Sequence, residues 1–256
     1  MLNQLRADTY RQLHTWGTYI VLAITILFSI LITSSESVGG LMVSTDDTTM
    51  DRLNHGAWSV LTGLKSATLS STVLLYIDIA IFVIIIGQEF SKQVYKNTLI
   101  TGITRLGFIV GKFIMMLGNI LILTLIFYGT AAITGKLAGR SLGTSGLKLG
   151  QTIGNMTLTV AFFISVIFSL GVIMLVLTNS VVAATVGIVL WPILIGILAS
   201  LSNWTWLKYL NFTGVAQSVA LGGLKVSELG PYLGISGGLL LLTMAGSAIL
   251  MQYKEL

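Results

Sequence analysis

Apolar and polar positions alternate along this chain in long blocks. Six apolar blocks lie at 17–33, 69–87, 106–133, 156–177, 181–201 and 233–251, with polar segments between them. A bilayer core about 30 Å thick is crossed by about 20 helical residues, and each block is of that order. Within a block the apolar run is continuous and does not alternate, so the pattern predicts helices and not the strands of a barrel. The expected fold is all-α: a polytopic membrane protein with six transmembrane helices, forming a single transmembrane domain over residues 1–256. The first block follows a mostly polar stretch, and Thr33-Ser34-Ser35-Glu36 after it lacks a small-residue cleavage pattern. It therefore predicts a retained helix and not a removed signal.

The polar segments carry their own patterns. In residues 1–16, Leu2, Leu5, Thr9, Leu13 and Trp16 recur at spacings of three and four, which puts them on one helical face. This predicts an amphipathic elbow lying on the membrane, with Trp16 at headgroup level. Residues 88–105 are too polar to span and longer than a helical hairpin needs. They are helix-compatible to Ile100 and meet a stop at Gly102, so they predict a short helix between spans two and three, placed to touch a soluble partner. The turn Thr178-Asn179-Ser180 is so short that spans four and five must be antiparallel neighbours. Residues 202–232 hold the aromatic cluster Trp204, Trp206 and Tyr209. They also hold the apolar stretch from Val215 to Leu221, too short to cross. Short re-entrant helices or an ordinary loop both fit. Residues 34–68 form the largest loop; its Gly39-Gly40 and its acids Asp46, Asp47 and Asp51 lack the spacing of a calcium loop and read as a solvated face.

Composition sharpens this. Of 256 residues, 54% are hydrophobic and 9% charged, and the mean hydropathy is +0.92. A soluble domain carries about 25% charged residues, so a soluble globular enzyme and a disordered chain are excluded. The net charge of +5 is dispersed, which argues against nucleic acid as a partner. Arg6, Arg11, Lys92, Lys96, Arg105 and Lys254 are denser on one side of the spans. The positive-inside rule then puts both termini in the cytoplasm. With no Cys and two His, His14 and His55, neither a thiolate nor a His-rich metal site is expected. Gly111-Lys112 and Gly135-Lys136 lack the rest of a phosphate-binding loop. Gly143-Thr144-Ser145-Gly146 is not a nucleophile elbow. No catalytic residues and no cofactor of the chain's own are expected.

Two charges fall inside the apolar blocks. Lys112 is near the start of the third and is expected to snorkel to the headgroups. Asp78 is near mid-block, where a carboxylate is expensive and avoids lipid. It reads either as a contact for substrate or proton, with Tyr76 and Phe82 on the same helix as a translocation path, or as a structural acid bonded to a partner such as Lys112. Pairs of small residues, Gly107 and Gly111, Ser165 and Ser169, Ala183 and Gly187, Gly234 and Gly238, suit close helix packing. Pro192 beside Trp191 predicts a kink in span five.

One segment goes further. Glu89-Phe90-Ser91, then Lys96-Asn97-Thr98-Leu99, Gly102-Ile103-Thr104-Arg105 and Gly111-Lys112, resembles the coupling segment of the type-2 ABC transporter permease family. The chain departs from that pattern at Gln93-Val94, where the family usually shows Gly-Thr. The wider layout is similar too: an elbow, six spans, a helix between spans two and three, and re-entrant segments before span six. The resemblance implies an exporter permease in a bacterial plasma membrane, paired with a second copy or a paralogue. Two separate ATPase subunits would bind ATP and Mg. It also implies coupling through Glu89, Phe90, Tyr95, Lys96, Asn97 and Leu99, supported by Leu5, Arg6 and Arg11, and an amphipathic peptide as cargo, as in antimicrobial-peptide immunity or toxin export. A membrane scaffold or immunity protein acting without ATP, and an ion-coupled carrier using Asp78, are the rival expectations.

Overall fold

The structure is a computed structural model and describes residues 2–35, 58–100, 102–202, 204–224 and 228–253. The loop acids Asp46, Asp47 and Asp51, the pair Gly39-Gly40, His55 and Lys254 lie outside the described residues. Among the described residues there are helices and no strands. In chain order they are α1 (Leu2–Leu13), α2 (Trp16–Ser34), α3 (Val60–Leu69) and α4 (Ser71–Phe82). A wide π turn follows (Val83–Gly87), then α5 (Gln88–Ser91), α6 (Val94–Ile100), α7 (Arg105–Leu137), α8 (Gly146–Thr178) and α9 (Val181–Leu201). A 3-10 turn (Thr205–Tyr209), α10 (Phe212–Leu221) and α11 (Leu229–Leu250) complete the chain.

Six helical segments are long and apolar enough to cross a membrane: α2, Ser71–Ser91, α7, α8, α9 and α11. This is the architecture of a multi-pass membrane protein. Local chemistry sets the ends. Ser59, Thr104, Ser180 and Asn211 each accept a backbone N–H with the side chain at a helix start, which satisfies an otherwise orphaned donor. Asn179, with φ 55°, closes α8 in the left-handed conformation. The short turn thus makes α8 and α9 neighbours, as the spacing requires. They approach so closely that a Cβ on Gly171 would meet Ile188 at 2.5 Å.

The outer helices are turned inside out relative to a soluble bundle. On α2 the buried stripe is Val21, Thr25, Ser29 and Thr33, while Ile20, Ile24, Leu27 and Leu31 are exposed. On α11 the buried residues are Ser236, Thr243, Ser247 and Ala248, and Leu233, Leu241 and Leu242 are exposed. A helix in lipid gains nothing by hiding leucine and much by pairing hydroxyls. Accordingly the Ser29 hydroxyl donates to the Phe127 carbonyl at 2.7 Å, and Thr243 donates to Ser169 at 2.9 Å. At the centre α8 packs against α7, α9, α10 and α11 with an apolar face of Val160, Phe163, Ile167 and Phe168.

Two sequence expectations change. Helices α7 and α8 are each 33 residues long, so the expected loop at 134–155 shrinks to 138–145. Lys148, Gln151 and Asn155 are polar but break no helix, so α8 starts well before its apolar block. Helix α3 lies in what reads as loop. Its Gly, Ser, Thr and Lys residues mask it, yet Leu64, Ala67, Thr68 and Leu69 are fully buried. Its end at Ser70 puts the start of the second span at Ser71.

Candidate functional site

The end of the bundle that carries α1 holds a cluster of four charges, of which Asp8, Glu89 and Lys112 are buried and Arg11 is half-buried. Helix α1 docks on α7 with a polar stripe: Gln4, Asp8 and Gln12 are all buried, four residues apart and thus on one face. They meet a matching stripe on α7. The Gln4 side chain packs 3.1 Å from where a Cβ on Gly111 would sit, Thr9 reaches Met115, and Gln12 donates to Asn119. Between them Lys112 is 2% exposed. Its Nζ donates to both oxygens of Asp8 at 2.7 and 2.8 Å and to Glu89 Oε1 at 2.6 Å. Arg11 donates through Nη1 to Glu89 at 2.7 Å and through Nη2 to the Ile85 carbonyl at 3.0 Å; Nη2 also lies 3.4 Å from Asp8. Two acids and two bases cancel, which lets Asp8, Glu89 and Lys112 sit under protein beside the half-buried Arg11.

Burial pushes the Asp8 carboxyl above its usual range. The hydrogen bond and charge of Lys112, with Arg11 behind it, pull the other way, and Glu89 adds to the rise. Lys112 therefore does not snorkel: it is consumed by Asp8 and Glu89, and an ammonium so paired has no need of the headgroups. The face of α1 that docks is Gln4, Asp8 and Gln12. The stripe of Leu5, Thr9, Leu13 and Trp16 lies beside it, with Leu13 and Trp16 exposed and Leu5 half-buried.

The expected coupling residues divide into two sets. Glu89 and Phe90 end the second span and are buried. Gln93, at φ 55°, then turns the chain into α6, where Tyr95 is buried against Phe90 with ring centroids 4.6 Å apart. These three face inward. Lys96 and Leu99 are half-buried and Asn97 is exposed. Val94 and Ile100 flank Asn97 on the same uncovered edge, Ile100 being 70% exposed. Arg6 is exposed and makes no part of the cluster, whereas Arg11 is its fourth member. The helix expected over 88–105 is thus broken into α5 and α6, and Gly102, at φ 91°, ends it.

Asp78 is 0% exposed, and neither of its carboxyl oxygens has a hydrogen-bond partner among the described residues. Neither Lys112 nor a Tyr, Ser or Asn among the described residues bonds it. Phe82 is buried against Phe168, centroids 5.7 Å apart, and the Tyr76 hydroxyl also lacks a partner. None of the three lines the cavity beside α9 and α10. That cavity, of about 440 Å³, lies where span two meets α9 and α10 and is lined by Thr72, Pro192, Gly196, Ser200, Asn211 and Gln217. Gln217 is buried and donates to the Leu69 carbonyl at 2.9 Å. A second cavity of about 410 Å³, with Thr152, Asn155 and Ala220 in its wall, lies on the α8 side of α10. Neither lining carries a charge. Helix α9 runs through Pro192 over its whole length.

Among the described residues no group of three His, Asp or Glu could hold a metal ion. Sequence reasoning missed Asp8, Gln4 and Gln12. Their spacing of four was legible, but polar residues on a terminal helix read as its solvated side. Comparison with protein-family models and with curated proteins finds no match for this chain.

Proposed function

We propose that the chain is the permease subunit of an ATP-driven ABC exporter. The observation that carries this reading is α6. It projects from the end of a span with Val94, Asn97 and Ile100 uncovered. It is tied back through Tyr95 on Phe90 and through Glu89 to two cations. A tip so anchored passes a push to the second span without dissipating it in a flexible loop.

Both termini then face the cytoplasm of a bacterial cell. Helix α1 is the elbow, and Leu5, Leu13 and Trp16 rest against the inner leaflet. The α6 tip enters a groove of a separate ATPase subunit, which supplies the ATP and Mg sites. Lys96, Asn97 and Leu99 meet that partner, and Glu89, Phe90 and Tyr95 transmit. Two ATPases act on two permeases, the second being another copy or a paralogue. Helix α10 is the re-entrant element before span six, and the uncharged cavity beside Pro192 and Gln217 suits an amphipathic cargo such as a peptide.

Purification from native membranes in mild detergent, with mass spectrometry of what accompanies the chain, tests this. A P-loop ATPase near one-to-one supports it. A monodisperse preparation without one overturns it. A second reading, an ion-coupled carrier, is favoured by one observation, the unpartnered Asp78. It requires uptake or efflux driven by an ion gradient without ATP and abolished in Asp78→Asn.

A further inference from the structure

Between Asp78 and Glu89 the second span departs from α geometry over five residues. Val83–Gly87 forms a π turn, a rare geometry that inserts wider hydrogen-bond spacing into an α-helix and persists where the surroundings hold it. Closing such a turn to regular α geometry rotates everything beyond it by about 100°, one residue's share of a 3.6-residue turn. The segment beyond it here is α5 and α6, with Glu89, Phe90 and Tyr95.

Arg11 grips this turn from outside the span. Its Nη2 donates to the Ile85 carbonyl, inside the turn, and its Nη1 to Glu89, just past it. The planar fork of a guanidinium holds the two contacts at a fixed spacing from two nitrogens; lysine offers one nitrogen with rotatable donors and no such fork. Arg11 is carried by α1, and α1 is fastened to α7 by other residues: Asp8 to Lys112, Gln12 to Asn119, Gln4 on Gly111. The turn is therefore braced against a third element.

We propose that α1 is a latch whose Arg11 keeps the wide turn of the second span in place, so that release of α1 lets the segment from Glu89 through α6 rotate relative to the part carrying Asp78. Arg11 is a positioning residue, acting through Ile85 and Glu89. The latch needs no partner subunit and stands whether or not the chain works with an ATPase.

The chain has no native cysteine, so two nitroxides can be placed uniquely on the exposed positions Lys92→Cys and Ile249→Cys. The full-length protein in lipid nanodiscs is examined by double electron–electron resonance. With Arg11 intact a single distance is expected. Arg11→Gln should move or split it by up to about 8 Å, because a side chain on a helix 10–12 Å across is carried about 100° round its axis. Arg11→Lys, which keeps the charge beside Glu89 but loses the fork, should do the same. Glu89→Gln, which leaves the grip on Ile85, should shift it less. Superimposable distributions for the native protein, Arg11→Gln and Arg11→Lys overturn the latch. So does a full shift in Glu89→Gln with none in Arg11→Lys, which would make the ion pair alone responsible. If Arg11→Gln is not monodisperse, Arg11→Lys decides.

Discussion

Glu89 and Asp78 are buried acids on one span, eleven positions apart in the numbering, and they are treated in opposite ways. Glu89 Oε1 is shared by Lys112 and Arg11 at 2.6 and 2.7 Å, and the whole cluster is neutral. Asp78 has no partner for either oxygen. An acid paired in this way is a fastening even though its Oε2 is unbonded among the described residues: three elements, α1, the second span and α7, converge on its Oε1. An unsatisfied acid contributes nothing to the fold that a neutral isostere would not; in the carrier reading it would serve in another state of the protein.

The largest effect should come from breaking the fastening. Lys112→Met leaves Asp8 and Glu89 facing each other under protein, and stripping one partner from a buried pair costs about 3–5 kcal/mol. Thermal unfolding in detergent should show a large drop in midpoint. The double change Lys112→Met with Glu89→Gln should recover much of it, since it removes the stranded charge as well. Recovery no better than additive would mean the cluster is not one unit.

Asp78→Asn should behave in the contrary way. With no bond to lose, its stability should stay within about 1 kcal/mol of the native chain, while transport, once a cargo is in hand, should fall. A large loss of stability in Asp78→Asn would make Asp78 a second fastening and erase the contrast.

A smaller effect is expected from pH. The Asp8 carboxyl, raised by burial, binds its proton more tightly when α1 is docked than when α1 is free. Docking is therefore favoured most below the ordinary carboxylate value of 3.8, and that advantage is lost as pH rises through the raised value. A spin label on the exposed Tyr10→Cys should become more mobile over that window. Asp8→Asn should flatten the dependence; the charged groups that face Asp8 are Lys112, Glu89 and Arg11.

The smallest effect on the fold is expected at the uncovered tip. Ile100→Ser should change stability by no more than about 0.5 kcal/mol, because the side chain touches little. In the exporter reading it should nonetheless weaken association with the ATPase, measured by co-purification. Unchanged association in Ile100→Ser and Asn97→Ala together would remove the tip from the interface.

The number of spans and their approximate places are legible in the apolar pattern alone. Continuous apolar runs admit only helices in lipid, and Thr178-Asn179-Ser180 permits only an antiparallel neighbour. The sequence also marked Asp78, since a mid-span carboxylate is conspicuous wherever it points. It did not reveal α3, whose hydroxyl-rich surface is legible as helix only once α4, α7 and α10 close over it. Nor did it show what Lys112, Asp8 and Glu89 do. A charge near a span end is equally consistent with a headgroup and with a buried partner, and the choice lies in residues more than a hundred positions away, as Asp8 does from Lys112. The faces of α1 illustrate the same limit. Periodicity identified an apolar stripe of Leu5, Leu13 and Trp16, but lipid removes the drive to bury leucine, and hydrogen bonding decides which side docks. Only the tertiary structure could therefore select Gln4, Asp8 and Gln12 as the inward face, and only it brings Arg11 onto the wide turn of the second span.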